Sequence, residues 1–285
     1  MIEVEGLSFS YRRGEEDAVP ALRGLDLRVE AGQFVAIIGH NGSGKSTLVK
    51  LLTAVEYPTE GRVRIDGVPL DEEHEWEIRR MVSVVFQDPD DQLVMNRVED
   101  DVAFGPENLG LPRGEISERV ESSLGALGLG GIRGRLVEDL SSGQKQRVAI
   151  AGALAMRPRF LILDEPTSLL PVPVAMRLVS TIRDLNRRIG MGVLHVTHSM
   201  YEASLFDRVV VFDSGRKVLD GTPAEVFRHV ERLREVGLDV PLAASLAHRL
   251  RARGIRLEGD VLDLRGLRAA LSSSLGSPSP ADPPA

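Results

Sequence analysis

A glycine-rich segment with one lysine is the part of the sequence whose residue types and spacing most directly indicate chemistry. It consists of Gly39, His40, Asn41, Gly42, Ser43, Gly44, Lys45, Ser46 and Thr47. This segment fits the pattern G-x-x-x-x-G-K-[ST], in which glycines allow backbone N–H groups to face phosphate oxygens. The helix expected after it adds its positive end. The sequence therefore predicts a nucleotide site, where Lys45 reaches the β- and γ-phosphates and the Ser46 hydroxyl binds Mg²⁺.

An acidic pair supplies a second group of candidate catalytic residues. Asp164 and Glu165 end an apolar run that begins at Phe160. At the carboxyl end of a buried strand, Asp164 is expected to hold Mg²⁺ directly or through water. Glu165 is placed to orient and deprotonate a water molecule. A merely solvated Asp-Glu pair at the end of a strand is the alternative, and the glycine-rich segment argues against it.

Three more motifs make a family resemblance specific. Gln87 follows the apolar run 82–86, the stretch Leu140-Ser-Ser-Gly-Gln144 precedes the strand of Asp164, and His198 follows the run 192–197. With the glycine-rich segment and Asp164-Glu165, they come in the order and approximate spacing of ATP-binding-cassette ATPases, whose signature is written LSGGQ. The resemblance covers about residues 1–222. It implies a head-to-tail dimer in which each ATP lies between one subunit's phosphate loop and the other's signature.

The resemblance also implies roles in nucleotide binding. Tyr11 matches the aromatic residue that stacks on adenine, with an ordinary strand aromatic as the alternative. Ser141, Gly143 and Gln144 match the signature positions that cap the partner's nucleotide.

For catalysis, the resemblance makes Glu165 the general base and has His198 contact the γ-phosphate and position the attacking water. Gln87 is expected to sense the γ-phosphate or Mg²⁺ and to link the site to a membrane partner. The metal ligands implied are thus Ser46, Gln87 and Asp164. A metal site formed by His195 and His198 is a rival interpretation, but no third ligand is apparent.

Other stretches narrow the class of transporter. Segments Phe86–Gln92, Val98–Asn108, Gly221–Phe227 and Gly237–Pro241 resemble the ATP-binding subunits of energy-coupling-factor importers, which serve vitamin, cobalt and nickel uptake. The resemblance implies three kinds of partner: a second ABC ATPase, an integral membrane coupling subunit and a substrate-binding membrane subunit. The C-terminal portion of that family helps the two ATPases to dimerise.

Two positions depart from the family pattern. Ser142 stands where the signature usually has glycine, and Pro171 stands where an aspartate usually helps to arrange the opposite site. Both belong to the half-site offered to a partner. We therefore expect a heterodimer with unequal sites; if the chain instead forms a homodimer, both sites carry the departures and turnover should be low throughout. An ATP-binding regulatory partner with weak hydrolysis in an asymmetric heterodimer is the alternative.

Composition excludes several other classes. The chain has 285 residues, no cysteine and a net charge of −7. The missing thiols exclude disulfides, thiol catalysis and iron–sulfur clusters. The acidic balance predicts no nucleic-acid partner, which disfavours a non-transport cassette ATPase acting on DNA or ribosomes. Neither a signal peptide nor a membrane-spanning run is apparent, so we expect a peripheral protein on the cytoplasmic face of the cell membrane.

Apolar patterning predicts an α/β fold with a P-loop NTPase core. Short unbroken apolar runs predict a mainly parallel sheet, at Phe34–Ile38, Val82–Phe86, Phe160–Leu163, Gly192–Thr197 and Val209–Phe212. Alternating segments predict an N-terminal antiparallel subdomain, at Ile2–Tyr11, Ala21–Glu30 and Gly61–Gly67.

The domain boundaries follow from where these signals stop. We expect a cassette over 1–222 with a helical signature subdomain inserted at about 88–158. A small α+β dimerisation appendage is predicted over 223–271, with amphipathic helices marked by Leu242, Leu246 and Leu250 and short strands around 255–264. The Ser/Pro-rich tail, 272–285, is predicted to be disordered.

Overall fold

A computed structural model describes residues 1–12 and 19–276 of the chain. This part contains ten strands, β1 to β10 in chain order: Ile2–Tyr11, Val19–Val29, Phe34–Gly39, Glu60–Ile65, Val68–Pro69, Val82–Val85, Phe160–Asp164, Gly192–Val196, Arg208–Asp213 and Arg216–Gly221. It also contains eleven α-helices, α1 to α11: Lys45–Leu52, Glu75–Met81, Val98–Asn108, Arg113–Ala126, Ser142–Ala155, Val172–Ile189, Met200–Ala203, Pro223–Arg228, Val230–Glu235, Leu242–Ala252 and Leu264–Gly276. None of these helices is long and apolar enough to cross a bilayer.

The strands of the described chain form two sheets. The smaller has the order β2-β1-β4-β5 and is antiparallel. The larger has the order β10-β9-β3-β8-β7-β6, in which the strands from β9 to β6 run parallel. β10 is an antiparallel edge strand. The predicted α/β class with a mainly parallel core is confirmed. Strands β5, which has two residues, and β10, which is partly exposed, were not predicted from the sequence.

Strand β3 shows why the core strands have unbroken apolar runs. Successive side chains of a strand point to opposite faces of the sheet. Phe34, Ala36 and Ile38 pack into a core shared with α5 and α6, whereas Val35 and Ile37 pack against the antiparallel sheet and α1. Both faces of β3 are covered, so every position needs an apolar side chain.

The parallel arrangement brings the predicted catalytic segments to one edge. β3 leads into the glycine-rich segment, β7 ends at Asp164 and β8 ends at Val196. In the sheet, Asp164 pairs with Val196, and Ile37 also pairs with Val196. The carboxyl ends of these strands therefore form a single edge, where ligands bind in open α/β sheets.

The segment 98–155 is helical, as predicted for the inserted subdomain. Helices α3, α4 and α5 lie here, and one isolated bridge joins Arg97 to Leu136. Helix α5 begins at Ser142, directly after Ser141 of the signature stretch. The domain boundaries themselves stay a prediction.

The strands predicted around 255–264 are wrong, because this segment has no strand between α10 and α11. The guanidinium of Arg251 donates to the carbonyls of Leu257 and Gly259, which a strand would have paired. Leu257 and Val261 are buried against the two flanking helices instead. The appendage is helical throughout its described elements.

Two other C-terminal expectations need correction. The predicted helix of Leu242, Leu246 and Leu250 is present, but Ala243 and Ala247 form its buried face. Leu242 is 79% exposed and Leu246 42% exposed. The predicted disorder is wrong for residues 272–276, which continue α11, and its remainder, 277–285, lies outside the described residues.

Candidate functional site

The glycine-rich segment forms the turn between β3 and α1. Gly44 precedes the helix with φ +103°, a backbone conformation that L side chains rarely adopt. A Cβ atom there would lie 2.7 Å from the carbonyl oxygen of Ala21. Glycine at this position therefore allows the turn, and it provides no side chain to cap α1. The first N–H groups of the helix face the site as donors for an anion.

Lys45 lies under this turn and is 5% exposed. Its Nζ donates to the carbonyls of Gly39, at 2.7 Å, and His40, at 3.0 Å. Burial lowers the pKa of Lys45, although the nearby carboxyls of Glu165 and Asp164 oppose that shift. A phosphate group bound in the turn would replace the two carbonyls as the partner of the ammonium group.

Asp164 is half-buried at the end of β7. Burial raises its pKa, against the opposing effect of a hydrogen bond from Ser46. Its Oδ1 atom is buried without a hydrogen-bond partner. A buried carboxylate oxygen beside a serine hydroxyl is the donor set that suits Mg²⁺, which takes few protein ligands and keeps water or phosphate oxygens for the rest. The residues thus fit the ion.

Glu165 and His198 contact each other directly. The Nε2 atom of His198 lies 2.5 Å from Oε1 of Glu165. Glu165 has φ +52°, which is uncommon for a non-glycine residue. Its backbone is held there because its N–H donates to Val196 and its carbonyl accepts from Ser168. Such strain, fixed by surrounding hydrogen bonds, is typical of functional sites.

The two histidines of the rival metal site have separate environments. His195 is fully buried on β8, and its Nε2 lies 3.1 Å from Oε2 of Glu202. His198 is 39% exposed and contacts Glu165. In the described parts of the chain, no group of three or more His, Cys, Asp or Glu side chains is placed to hold a metal ion. The arrangement does not support a histidine metal site.

Glu202 is a residue of this region that sequence reasoning missed. Its carboxylate also accepts hydrogen bonds from Thr167, at 2.8 Å, and Thr197, at 3.1 Å. The pattern Ser199-x-x-Glu202 was the available signal, but it is typical of a capping box at a helix start. Ser199 does cap α7, whereas the Glu202 side chain turns into the protein and is 5% exposed.

Gln87 lies two residues beyond Val85, which pairs with Leu163 in the sheet. It is exposed, on the loop that leaves β6. The amide of Gln92 holds this loop, since Oε1 accepts from the N–H of Phe86 and Nε2 donates to the carbonyl of Val84. Gln87 thus follows the edge strand β6 next to the strand of Asp164.

Tyr11 lies beside the start of α1. Its hydroxyl is 3.3 Å from Oγ1 of Thr47, and the Nζ of Lys50 is 5.3 Å from the ring centroid. The ring of Phe9 packs edge-on against it at 4.9 Å. The structure thus puts Tyr11 next to the phosphate loop, and its stacking on adenine stays a prediction.

His40 has a partner that the sequence did not indicate. Its Nε2 lies 2.9 Å from Oδ1 of Asp213, the last residue of β9, and its Nδ1 is 2.6 Å from the carbonyl of Asn41. The glycine-rich segment is therefore connected to the strand on the other side of β3.

The signature residues line a different surface. Ser141 precedes α5, and its N–H and hydroxyl both donate to Oε1 of Gln144, at 2.9 and 3.1 Å. Ser142, Gly143, Leu170 and Pro171 line one open groove of about 620 Å³. Within the described residues, no hydrogen bond joins Ser141, Gly143 or Gln144 to the segment 39–47. The two departures from the family pattern, Ser142 and Pro171, thus lie in the same groove.

Taken together, the carboxyl edge of the sheet combines an anion-binding turn, a buried cation, a half-buried carboxyl and a second carboxyl beside an imidazole. This combination suits phosphoryl transfer to water, which depends on positioning and on neutralising charge rather than on covalent chemistry.

Comparisons with known proteins agree with this chemistry. Residues 22–168 match the family model described as ABC transporter. The energy-coupling factor transporter ATP-binding protein EcfA1 of Caldanaerobacter subterraneus subsp. tengcongensis is 49% identical over 266 residues, which are 93% of this chain and 96% of that protein.

Two solved structures are similar over most of the fold. One is cbiO1 from Clostridium perfringens, part of the ABC transporter complex cbiONQ. It is 36% identical, with a TM-score of 0.75, over 87% of this chain and 98% of that chain. The other is a dimeric ATP-binding cassette in a post-hydrolysis state bound to ADP and Pi. It is 29% identical, with a TM-score of 0.70, over 78% of this chain and 99% of that chain.

Proposed function

The chain belongs to the ABC transporter family, among the ATP-binding proteins of energy-coupling factor transporters, and from that premise we propose that it powers the import of a vitamin or of a transition-metal ion such as cobalt or nickel. It binds and hydrolyses ATP, as its family does. The observation that carries the proposal is the meeting of Lys45, Asp164, Glu165 and His198 at one edge of the sheet. That edge belongs to a chain with the length and fold of a transporter ATPase.

Each residue of the site has a role in this proposal. The N–H groups at the start of α1 and the ammonium of Lys45 bind the β- and γ-phosphates, while Tyr11 stacks on adenine. Ser46, Asp164 and Gln87 hold Mg²⁺, which supplies neutralisation of phosphate charge when bound. Support for these ligands comes from the buried, unpaired Oδ1 of Asp164 near the Ser46 hydroxyl.

Glu165 is the proposed general base. Its carboxylate takes a proton from a water molecule that attacks the γ-phosphate, and the ADP oxygen leaves on the opposite side. His198 turns from Glu165 to the γ-phosphate and orients that water. The 2.5 Å contact of the two side chains supports the assignment, since it puts the base and the imidazole within reach of the same small volume.

A second ATPase subunit completes each site in this proposal. Ser141 and Gly143 line an open groove, and together with Gln144 they cap the nucleotide of the partner. The dimeric arrangement of the similar cassette bound to ADP and Pi supports such pairing. The outward stripe of Leu242 and Leu246 supports a further dimer contact through the C-terminal appendage.

The membrane coupling subunit has a candidate docking surface between the sheet and the inserted helices. A cavity of about 360 Å³ lies between α2, β6, α3 and α5. Its rim carries the exposed apolar side chains of Trp76, Val94 and Phe104, at 68%, 61% and 38% exposure. Gln92 lines the same cavity and holds the loop of Gln87. A helix bound in the cavity can therefore communicate with the nucleotide site.

A regulatory role with weak hydrolysis is the second candidate. Pro171 favours it, because it puts a ring in place of the family's aspartate in the groove of the signature residues. A non-transport cassette is disfavoured by the transporter names of the relatives.

The substrate and partners can be tested together. The chain is tagged, purified from membranes with the proteins that bind it, and reconstituted in vesicles. We expect three partner proteins and ATP-dependent uptake of one vitamin or metal ion, tested with labelled vitamins, Co²⁺ and Ni²⁺. Uptake that persists in a Lys45→Ala complex, or a complex without membrane proteins, would contradict the proposal.

A further inference from the structure

The buried carboxylate of Glu202 is the strongest feature that the proposed mechanism does not use. Three donors converge on one oxygen, Oε2: the hydroxyls of Thr167 and Thr197 and the Nε2 atom of His195. The group is 5% exposed, and Thr167, Thr197 and His195 are 6%, 3% and 0% exposed. Burying a charge is costly unless it is hydrogen-bonded, and here three hydrogen bonds to a single oxygen supply most of that compensation.

The donors come from the two segments that carry the proposed catalytic pair. Thr167 lies two residues after Glu165, and Thr197 immediately precedes His198. Thr197 also accepts a hydrogen bond from the N–H of Ser199, at 3.0 Å, so the backbone is held on both sides of His198. The carboxylate therefore connects the loop after β7 to the loop after β8, directly beneath the Glu165–His198 contact.

The charge state of the cluster follows from its hydrogen bonds. Burial alone would raise the pKa of Glu202, but the bonds from His195, Thr167 and Thr197 hold that pKa below its ordinary value. Three donors require an acceptor, which an ionised carboxylate provides. The Nδ1 atom of His195 is buried without a hydrogen-bond partner, so Nε2 is the ring atom that contacts Glu202.

We propose that Glu202 is a positioning residue for ATP hydrolysis, which fixes Glu165 relative to His198 by joining both loops to one buried oxygen. The inference rests on the roles proposed above for Glu165 and His198. Glu202 is 5% exposed and bonded to Thr167, Thr197 and His195, so we expect its loss to lower kcat and to leave ATP affinity intact. The phosphate-binding turn, which sets that affinity, has no hydrogen bond to Glu202 among the described residues.

The test uses the full-length protein in its complex and compares variants that each change one hydrogen-bonding group. Glu202→Gln keeps the shape but replaces a charged acceptor by a neutral one, and charge-assisted hydrogen bonds are about twice as strong. We expect kcat to fall about tenfold, while the KM for ATP changes less than about twofold. Thr167→Val and Thr197→Val each remove one donor and should lower kcat about two- to tenfold. Thr167→Ser and Thr197→Ser keep the hydroxyl and should restore the rate.

Asn186→Ala is the matched control for lost stability. Asn186 is 3% exposed and donates to the carbonyls of Gly32 and Met191, at the opposite end of the sheet. It should lower the melting temperature without lowering kcat. Equal losses of kcat in Asn186→Ala and Thr167→Val at equal melting temperature would overturn the inference, as would serine variants as slow as the valine ones.

Glu165→Gln, measured in parallel, separates the inference from its premise. A wild-type rate in Glu165→Gln overturns the proposed function and this inference with it. A large loss in Glu165→Gln beside wild-type rates in Glu202→Gln, Thr167→Val and Thr197→Val overturns the positioning role alone.

Discussion

The imidazole Nε2 of His198 lies 2.5 Å from the carboxylate Oε1 of Glu165. The two groups that we assign to the attacking water thus contact each other directly. Hydrolysis requires this contact to open, because the carboxylate must accept a proton from water and the imidazole must face the γ-phosphate. In the proposed mechanism, ATP binding opens this contact and frees the carboxylate to accept the proton.

Replacing His198 tests its part in the reaction. His198→Ala frees Glu165 but removes the group that faces the γ-phosphate. We expect kcat to fall about 10²- to 10³-fold, the loss typical of one transition-state donor. His229→Ala is the control, since His229 is exposed between α8 and α9 and should leave steady-state hydrolysis unchanged. A His198→Ala enzyme within about tenfold of wild type would contradict the assignment.

The raised pKa of Asp164 makes the stability of the folded protein depend on pH. Because burial raises its pKa in the folded protein, the folded state binds a proton more tightly than the unfolded state. Stability therefore decreases as the pH rises from the unfolded pKa through the folded pKa, and the cost is fully present above the folded pKa.

Asp164→Asn should remove that cost. We expect a melting temperature about 2–4 °C higher near neutral pH, which corresponds to about 1 kcal/mol in a domain of this size. The gain should vanish below the unfolded pKa of aspartate, about 3.9. Mg²⁺-dependent hydrolysis should be lost. Thermal melts from about pH 3 to 8 check this, with the exposed Asp184→Asn as control. A melting temperature lower than wild type at neutral pH would contradict the account.

Pro171 allows a test of the unequal sites. It is the residue that precedes α6, and no side chain caps that helix. Pro171→Asp adds a cap, worth about 0.5–2 kcal/mol, but loses the stiffness of proline, worth about 0.4–1 kcal/mol. These effects oppose each other, so we expect little change in melting temperature.

We expect Pro171→Asp to change the rate of ATP hydrolysis although its melting temperature changes little. If Pro171 slows the site that it completes on the partner, Pro171→Asp raises single-turnover hydrolysis at that site. Ser142→Gly, in the same groove, should add to the effect. An unchanged rate at both sites in the double variant would show that these departures do not set the asymmetry.

Replacing Trp76 tests whether the cavity is the docking surface. Trp76 lies on α2 and is 68% exposed. Trp76→Ala should weaken binding of the membrane coupling subunit about 30-fold, as expected when an aromatic residue worth about 2 kcal/mol is removed from the centre of an interface. Ile189→Ala is the control, because Ile189 is 56% exposed at the end of α6 and does not line the cavity. Equal binding by both variants would exclude this cavity as the docking surface.

Sequence and structure agree where local chemistry decides the outcome. The phosphate loop and the parallel strands follow from glycine spacing and unbroken apolar runs, which tertiary contacts reinforce. The prediction of strands around 255–264 is wrong, because the Arg251 side chain donates hydrogen bonds to the carbonyls that a neighbouring strand would need.

Other features depend on long-range contacts that no local pattern records. The carboxylate of Glu202 turns inward to meet Thr167, which is 35 residues away in sequence. His40 meets Asp213, 173 residues away. On α10, alanines rather than leucines face the interior, because Ala247 packs against Leu257 and Leu267. Amphipathic spacing identifies the helix but does not decide which side is buried.

The measurement that tests the central claim most directly is single-turnover ATP hydrolysis by Glu165→Gln in the assembled complex, beside ATP binding by the same variant. We predict that hydrolysis falls about 10²- to 10⁴-fold, the range for loss of a general base. ATP binding should be unchanged, because Lys45 and the phosphate loop are intact. Hydrolysis at the wild-type rate in a variant that still binds ATP would contradict the account.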